Sequence, residues 1–143
     1  MVTAAFGWAG GIGFWLGVEP PGLLRRMWRV RDEAALREAE IELVQAQTAT
    51  EAAGAVVAAA AALVGGEAAR IEDGEGRVLA TVGPSTEGAD QVLRVQGVAS
   101  AVTVVQSSYT PVFGHDEQVM LRQLCSHLDL ALRRIEAFDA SEQ

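Results

Sequence analysis

The hydrophobic pattern of this 143-residue chain changes its period twice, at Gly65–Gly66 and at Gly114. Before the first change, apolar residues recur every three or four positions, as they do on one face of a helix. Between the two changes they alternate or run together, as they do in strands. After Gly114 the helical period returns and persists to about Phe138. This order predicts an α+β fold around one core, which a chain of this length can bury.

Two helices are predicted ahead of the strands. The first starts at Asp32, and its apolar residues form a seam that is too narrow for a globular core face and is typical of a contact between helices. The second begins after Thr48, which forms a capping-box pattern with Glu51, and the glycines at 65–66 end it. The seam of the first helix consists of Leu36, Ala39, Leu43 and Ala46.

Four strands are predicted in the middle of the chain. "AARIE" and "RVLATV" flank "DGEG", the pattern of a hairpin that turns at Asp73–Gly74. "DQVLRVQ" alternates, whereas "SAVTVVQS" is apolar almost throughout, as expected of a central strand. We therefore expect a small, mostly antiparallel sheet of about four strands, flanked by an N-terminal helix pair and a long C-terminal helix.

Residues 1–22 are apolar and rich in glycine, and residues 23–31 form a basic segment in front of a domain at 32–143. The stretch at 2–18 has no charge and two GxxxG spacings, and the arginines that follow it obey the positive-inside rule. Two interpretations stay open. The stretch is the tail of a transmembrane helix, with residues 1–31 contacting the membrane, or it is a glycine-rich arm on a soluble protein.

Charge and cysteine content exclude other classes of protein. Residues 32–143 contain seven arginines and 18 acids, so their net charge is −11, and a body this acidic repels nucleic acid. Cys125 is the only cysteine, so no disulfide forms within the chain, which fits a reducing compartment. We expect a cytoplasmic domain, at the inner face of the membrane if the N-terminal stretch enters it.

The titratable residues near the C-terminus do not converge on a catalytic or metal site. His115 and His127 are 12 residues apart on the last predicted helix, about 18 Å along its axis, and so cannot share a metal ion. Cys125 and His127 point to different faces, which excludes a Cys–His nucleophile pair. No phosphate-binding, hydrolase or calcium motif is present in the sequence. The chain is therefore predicted to be non-catalytic and to need no cofactor.

The same helix carries an apolar seam over nearly three heptads. With the seam of the first helix, it predicts a homodimer through a four-helix bundle, and a smaller second stripe on the last helix supports contacts on two sides. The predicted dimer interface consists of Leu36, Ala39, Leu43, Leu121, Leu124, Leu128, Ala131, Ile135 and Phe138.

Residues 32–138 resemble a GAF domain. The strand pair "VLRVQGVASAVTVVQ" is followed by a loop with proline and phenylalanine, and then by a helix that opens with an acidic pair and continues with spaced leucines and alanines. "EAAGAVVAAAAALVGGEAARIEDGEGRVLATVG" is similar to the first helix and hairpin of that family. The positions that carry the resemblance near the C-terminus are Pro111, Phe113, Asp116, Glu117, Leu121, Leu124, Leu128, Ala131 and Leu132.

The resemblance implies a sensory or regulatory module of a bacterial signalling protein. Ligand-binding members carry a long insertion as a lid, where this chain has only "PSTEGA" at 84–89. We therefore expect a reduced, non-catalytic module that dimerises through its helices and relays a signal to an attached output domain of the kinase, cyclase or phosphatase type. The alternative is a sensor for a nucleotide or metabolite with a shallow anion site on the sheet, formed by Arg70, Arg77 and Arg94.

Overall fold

The structure is a computed structural model that describes residues 22–86, 88–89, 91–106 and 115–143, with side chains from residue 33 onward. Within the described residues, Ala34–Gln143 forms one compact unit. The stretch at 2–18, for which the membrane and arm interpretations were offered, lies outside the described residues. Within the described part of the chain, no helix is both long enough and apolar enough to cross a membrane.

Helix α1 spans Gly22–Gln45 and so begins ten residues before its expected start. The segment at 23–31 contains leucine, methionine and arginine, which favour helix, and neither glycine nor proline. Because nothing in this segment interrupts the helical backbone, the basic segment is the first part of α1. The four residues that were expected to line the seam are buried or half-buried.

Helix α2 spans Ala49–Leu63 and begins with the predicted cap. The Thr48 hydroxyl accepts a hydrogen bond from the Glu51 backbone N–H at 3.2 Å, and the Glu51 carboxylate accepts one from the Gln47 N–H at 2.9 Å. The first bond satisfies an N–H group that the first turn of a helix leaves unpaired, and the second satisfies the N–H of the residue before the cap. After the helix ends, Gly65 adopts a left-handed conformation with φ of 60°, which glycine accommodates without strain.

The sheet contains four antiparallel strands in the order β2-β1-β4-β3. The first hairpin pairs β1 (Gly66–Asp73) with β2 (Val78–Val82), and the second pairs β3 (Val92–Gln96) with β4 (Ser100–Gln106). All seven residues of β4 are buried, which agrees with its nearly continuous apolar sequence and its central position.

Helix α3 spans His115–Glu142 and packs with α2 on one face of the sheet. Ile71 and Val104 of the sheet, Val56 of α2 and Leu124 and Leu128 of α3 are fully buried in the same core. The alanines of α2 let its backbone lie close to the sheet, because their side chains are short. This arrangement confirms the predicted α+β architecture.

Candidate functional site

The face of the sheet that points away from the helices carries a cluster of charged residues. Successive side chains of a strand point to opposite faces, and Ile71 faces the helices, so its neighbours Arg70 and Glu72 lie on the other side. In the register of the sheet, Arg70 of β1 and Arg94 of β3 both pair with Thr103 of β4. The fold therefore places two arginines from distant parts of the sequence on either side of one hydroxyl.

Glu72 joins the two arginines of this cluster. Arg70 donates a hydrogen bond to its Oε1, and Arg94 Nη1 donates to its Oε2 at 2.8 Å and lies 3.4 Å from Thr103 Oγ1. Glu72 is only 5% exposed. Its pKa is lowered mainly by the hydrogen bond from Arg70, with a further contribution from Arg94, whereas burial opposes the shift. The cluster keeps one excess positive charge, and the Arg94 side chain is 51% exposed.

Arg77 lies outside this cluster and outside the strands. It belongs to the turn between β1 and β2, where its Nε contacts Asp73 Oδ2 at 2.7 Å and its side chain points into solvent. Asp73 also accepts hydrogen bonds from the backbone N–H groups of Glu75 and Arg77, so this arginine helps to close the hairpin. Only two of the three predicted anion-binding arginines therefore lie together.

The residues predicted as a dimer interface are mostly buried within a single chain. Leu121, Leu124 and Leu128 are fully buried in the core, whereas Phe138 is exposed. The seam is therefore filled by contacts within this chain, between α3, α1, α2 and the sheet. The five others that are buried or half-buried are Leu36, Ala39, Leu43, Ala131 and Ile135.

A different part of α1 and α3 presents apolar side chains to solvent. Ile41 and Val44 of α1 and Leu130 and Phe138 of α3 are between 62% and 71% exposed. We call these four residues the helix-pair surface. Val44 and Leu130 line a cleft of about 350 Å³ between the two helices. Its other lining residues are Glu40, Leu43, His127, Ala131 and Arg134.

Two polar contacts hold α1 and α3 together beside this cleft. Glu40 Oε1 lies 2.9 Å from His127 Nδ1. Further along both helices, the Arg134 guanidinium donates hydrogen bonds to the backbone carbonyls of Leu43, Val44 and Ala46 at 3.1, 2.8 and 2.8 Å. Because residue numbers rise in the same direction along both helices between these contacts, α1 and α3 run parallel.

A buried carboxylate connects the sheet to α3. Asp129 accepts hydrogen bonds from the backbone N–H groups of Val98 and Ala99 at 2.6 and 3.2 Å, and from Ser100 Oγ at 2.6 Å. Nothing in the local sequence pattern predicts the partners of Asp129, although it falls four residues after Cys125 on the apolar side of the helix. A carboxylate within an apolar stripe was the signal that could have revealed it.

Cys125 behaves as a core residue. Its side chain is buried beside Ser100, with 3.5 Å between Sγ and Oγ, and burial raises the pKa of the thiol. A thiol with a raised pKa forms little thiolate, which is the nucleophilic form. Among the described residues, no three His, Cys, Asp or Glu side chains are grouped as metal ligands.

Comparison with known proteins identifies the fold. No protein-family profile matches the sequence, and no curated protein matches it either. Among solved structures, the chain is similar to the crystal structure of the GAF domain of a protein assigned as a sensor histidine kinase from Pseudomonas syringae pv. tomato. The two chains are 13% identical, the match covers 84% of this chain and 97% of the other, and the TM-score is 0.63. The resemblance seen in the sequence is thus confirmed in three dimensions: this chain has the fold of a GAF domain.

Proposed function

We propose that this chain is a non-catalytic regulatory and dimerisation module of a bacterial signal-transduction protein. The observation that carries the proposal is the helix-pair surface, because four large apolar side chains lie exposed on the first and last helices of the described fold. Exposed apolar surface of this kind marks sites of protein–protein interaction. The similar domain of a protein assigned as a sensor histidine kinase supports a role in signalling.

The occupant that we propose for this surface is a second copy of the chain. Ile41 and Val44 are three residues apart on α1, and Leu130 and Phe138 are eight apart on α3, so each pair lies along one side of its helix. Two parallel helices with apolar strips form half of a four-helix bundle, and the same two helices of another copy supply the other half. The interface thus uses the outer side of the helix pair, whereas the leucine seam stays in the core.

In this proposal the helix pair also carries the signal. A change that arrives through α1 alters how α1 packs on α3, and α3 passes the change to an output domain of the kinase, cyclase or phosphatase type. The module works in the cytoplasm, at the inner face of the membrane if residues 1–31 contact the bilayer. It acts by changing packing, so it requires no catalytic residue.

Sedimentation velocity of the Leu130→Asp variant tests the dimer. The change places a charge on the helix-pair surface without entering the core, so we expect the wild-type chain to sediment as a dimer and the variant as a monomer with unchanged far-UV circular dichroism. Val92→Asp is the matched control, because Val92 is 45% exposed on the edge strand β3 and lies on neither helix. A monomeric wild type, or a variant that remains dimeric, would contradict the proposal.

A second candidate function is the binding of an anionic nucleotide or metabolite on the outer sheet face. It is supported by the convergence of Arg70 and Arg94 on Glu72 and Thr103, which leaves an exposed guanidinium and one excess positive charge. A ligand that binds only the folded chain raises its melting temperature. We expect such a shift with nucleotides, and its loss in Arg94→Gln but not in Arg133→Gln. An equal shift in both variants would indicate binding elsewhere.

A further inference from the structure

The three hydrogen bonds from Arg134 to the end of α1 have a consequence for signalling. We propose that Arg134 is a latch that fixes the axial position of α1 on α3, and that its release allows α1 to move along α3. The proposal rests on the proposed function, in which these two helices carry the signal. It adds that Arg134 holds α1 in its resting position, and that α1 shifts along α3 when the hydrogen bonds of Arg134 break.

The position of Arg134 at the end of α1 makes the contact specific for one register. Carbonyl groups in the last turn of a helix lack partners within the helix, so they are free to accept hydrogen bonds from a side chain. The carbonyl directly before these three is already used, because that of Glu42 accepts from the Ala46 N–H at 3.0 Å. A guanidinium with several donors therefore finds acceptors for all its bonds only where α1 ends.

The remainder of the contact between α1 and α3 does not fix a register so strongly. Ala39 and Leu43 meet α3 through aliphatic side chains that recur every three or four residues, and a shift of one turn exchanges one such residue for the next. Among the described residues, the Glu40–His127 contact is a second polar link between the two helices, and about a third of each of these side chains is exposed. Partly exposed polar contacts of this kind contribute little to stability.

The cleft of about 350 Å³ supplies room for the movement. Arg134 lies on its wall together with Val44 and Leu130, so the guanidinium borders an open cleft. Close-packed interfaces resist movement, because every side chain is held by its neighbours. Here a cleft borders the contact that sets the register. Release of the three hydrogen bonds therefore frees α1 to step along α3 by one turn, about 5.4 Å.

Pulsed electron–electron spin resonance on the full chain measures this movement. Nitroxide labels are attached at Glu38→Cys on α1 and Glu142→Cys on α3, in a Cys125→Ala background. Labelled chain is diluted with unlabelled chain so that distances within one copy dominate. We expect a single narrow distance distribution with Arg134 present. In Arg134→Gln we expect a second population of molecules, in which α1 has moved along α3 by about one helical turn and the distance between the two labels has changed accordingly.

Two further variants test whether Arg134 fixes the position of α1 on α3 or only caps the end of α1. Arg133→Gln removes a neighbouring exposed arginine that has no hydrogen bond or ion pair within the described part of the chain, and it should leave the distance distribution narrow. Arg134→Lys keeps the charge but has no planar fork, so it should give a smaller second population than Arg134→Gln. If Arg134→Gln and Arg134→Lys only lower the melting temperature while the distance stays single, Arg134 is a structural cap and the proposal fails.

The same samples distinguish failure of the latch from failure of the dimer. Light scattering reports the oligomeric state of each variant independently of the distance measurement. If the chain is monomeric and Arg134→Gln shows a second distance, the latch proposal is supported and the dimer proposal is contradicted. If the chain is dimeric and Arg134→Gln shows one unchanged distance, the dimer proposal is supported and the latch proposal is contradicted.

Discussion

At the level of single residues, the contact between Asp129 and the β3–β4 turn is tightly constrained. The carboxylate accepts bonds from two backbone N–H groups and one hydroxyl, and it occupies the space in which a Cβ on Gly97 would lie. Glycine is needed at this position because the carboxylate approaches the backbone closely. The turn and the helix therefore cannot be altered independently.

Alanine substitutions at two glycines test this constraint. We expect Gly97→Ala to lower the free energy of unfolding by about 1–3 kcal/mol, because the added methyl group displaces the Asp129 carboxylate from its donors. Gly54→Ala is the control: nothing lies within 4 Å of the added Cβ, and removing glycine from a helix interior should stabilise the chain by about 0.5–1 kcal/mol. Urea denaturation measures both changes. Equal effects of the two substitutions would contradict the close approach.

The ion pairs of Glu72 predict how stability depends on pH. The pKa of Glu72 in the folded chain is lowered, so its contribution is present above the usual value of about 4.5 and is lost as the pH falls through the lowered pKa. We expect the stability difference between the wild type and Glu72→Gln to shrink as the pH is lowered from about 7 to about 3. Glu38→Gln, at an exposed position on α1, should show no such trend.

At the level of helices and strands, periodicity predicted each element but not its partners. The four strands and α3 were identified because alternation and a three-to-four spacing are local properties of the sequence. The same spacing occurs in a dimer seam and in a core face, so the spacing of Leu121 and Leu128 predicted an interface, although both are fully buried in the core of one chain. The contacts of Asp129 and Arg134 depend on residues at least 29 positions away, which no local pattern reveals.

Leu128 and Leu130 are two positions apart on α3 and lie on different faces of it. Substitutions at the two residues therefore measure the contributions of the core and of the surface to stability separately. Leu128 is fully buried, so we expect Leu128→Ala to lower the free energy of unfolding by about 2–5 kcal/mol, through lost burial and the cavity that remains. Leu130→Ala should change the stability of the monomer by about 0.5 kcal/mol or less. Thermal unfolding at a concentration low enough to keep the chain monomeric measures both. A larger loss at Leu130 would mean that the faces of α3 are misassigned.

At the level of the whole molecule, charge opposes the association that the apolar surface favours. Residues 32–143 carry a net charge of −11, so two copies of this unit repel each other over distances comparable with the Debye length. The proposed dimer therefore gains its stability from apolar contact against a like-charge penalty.

This balance predicts an unusual response to salt. Raising the sodium chloride concentration from about 20 mM to about 500 mM screens the repulsion, and we expect the dimer to tighten. Sedimentation equilibrium at the two salt concentrations measures the change in dissociation constant. A dimer held mainly by ion pairs between copies would weaken instead.

The parallel course of α1 and α3 has a mechanical consequence. The chain enters the Ala34–Gln143 unit along α1 and leaves it along α3 in the same direction, so neighbours attached before and after the unit would be joined at its opposite ends. A pull between those neighbours would act on the two helices as shear rather than as peeling. Shear loads all the contacts between the helices at once, so the three hydrogen bonds of Arg134 would share the tension and yield together.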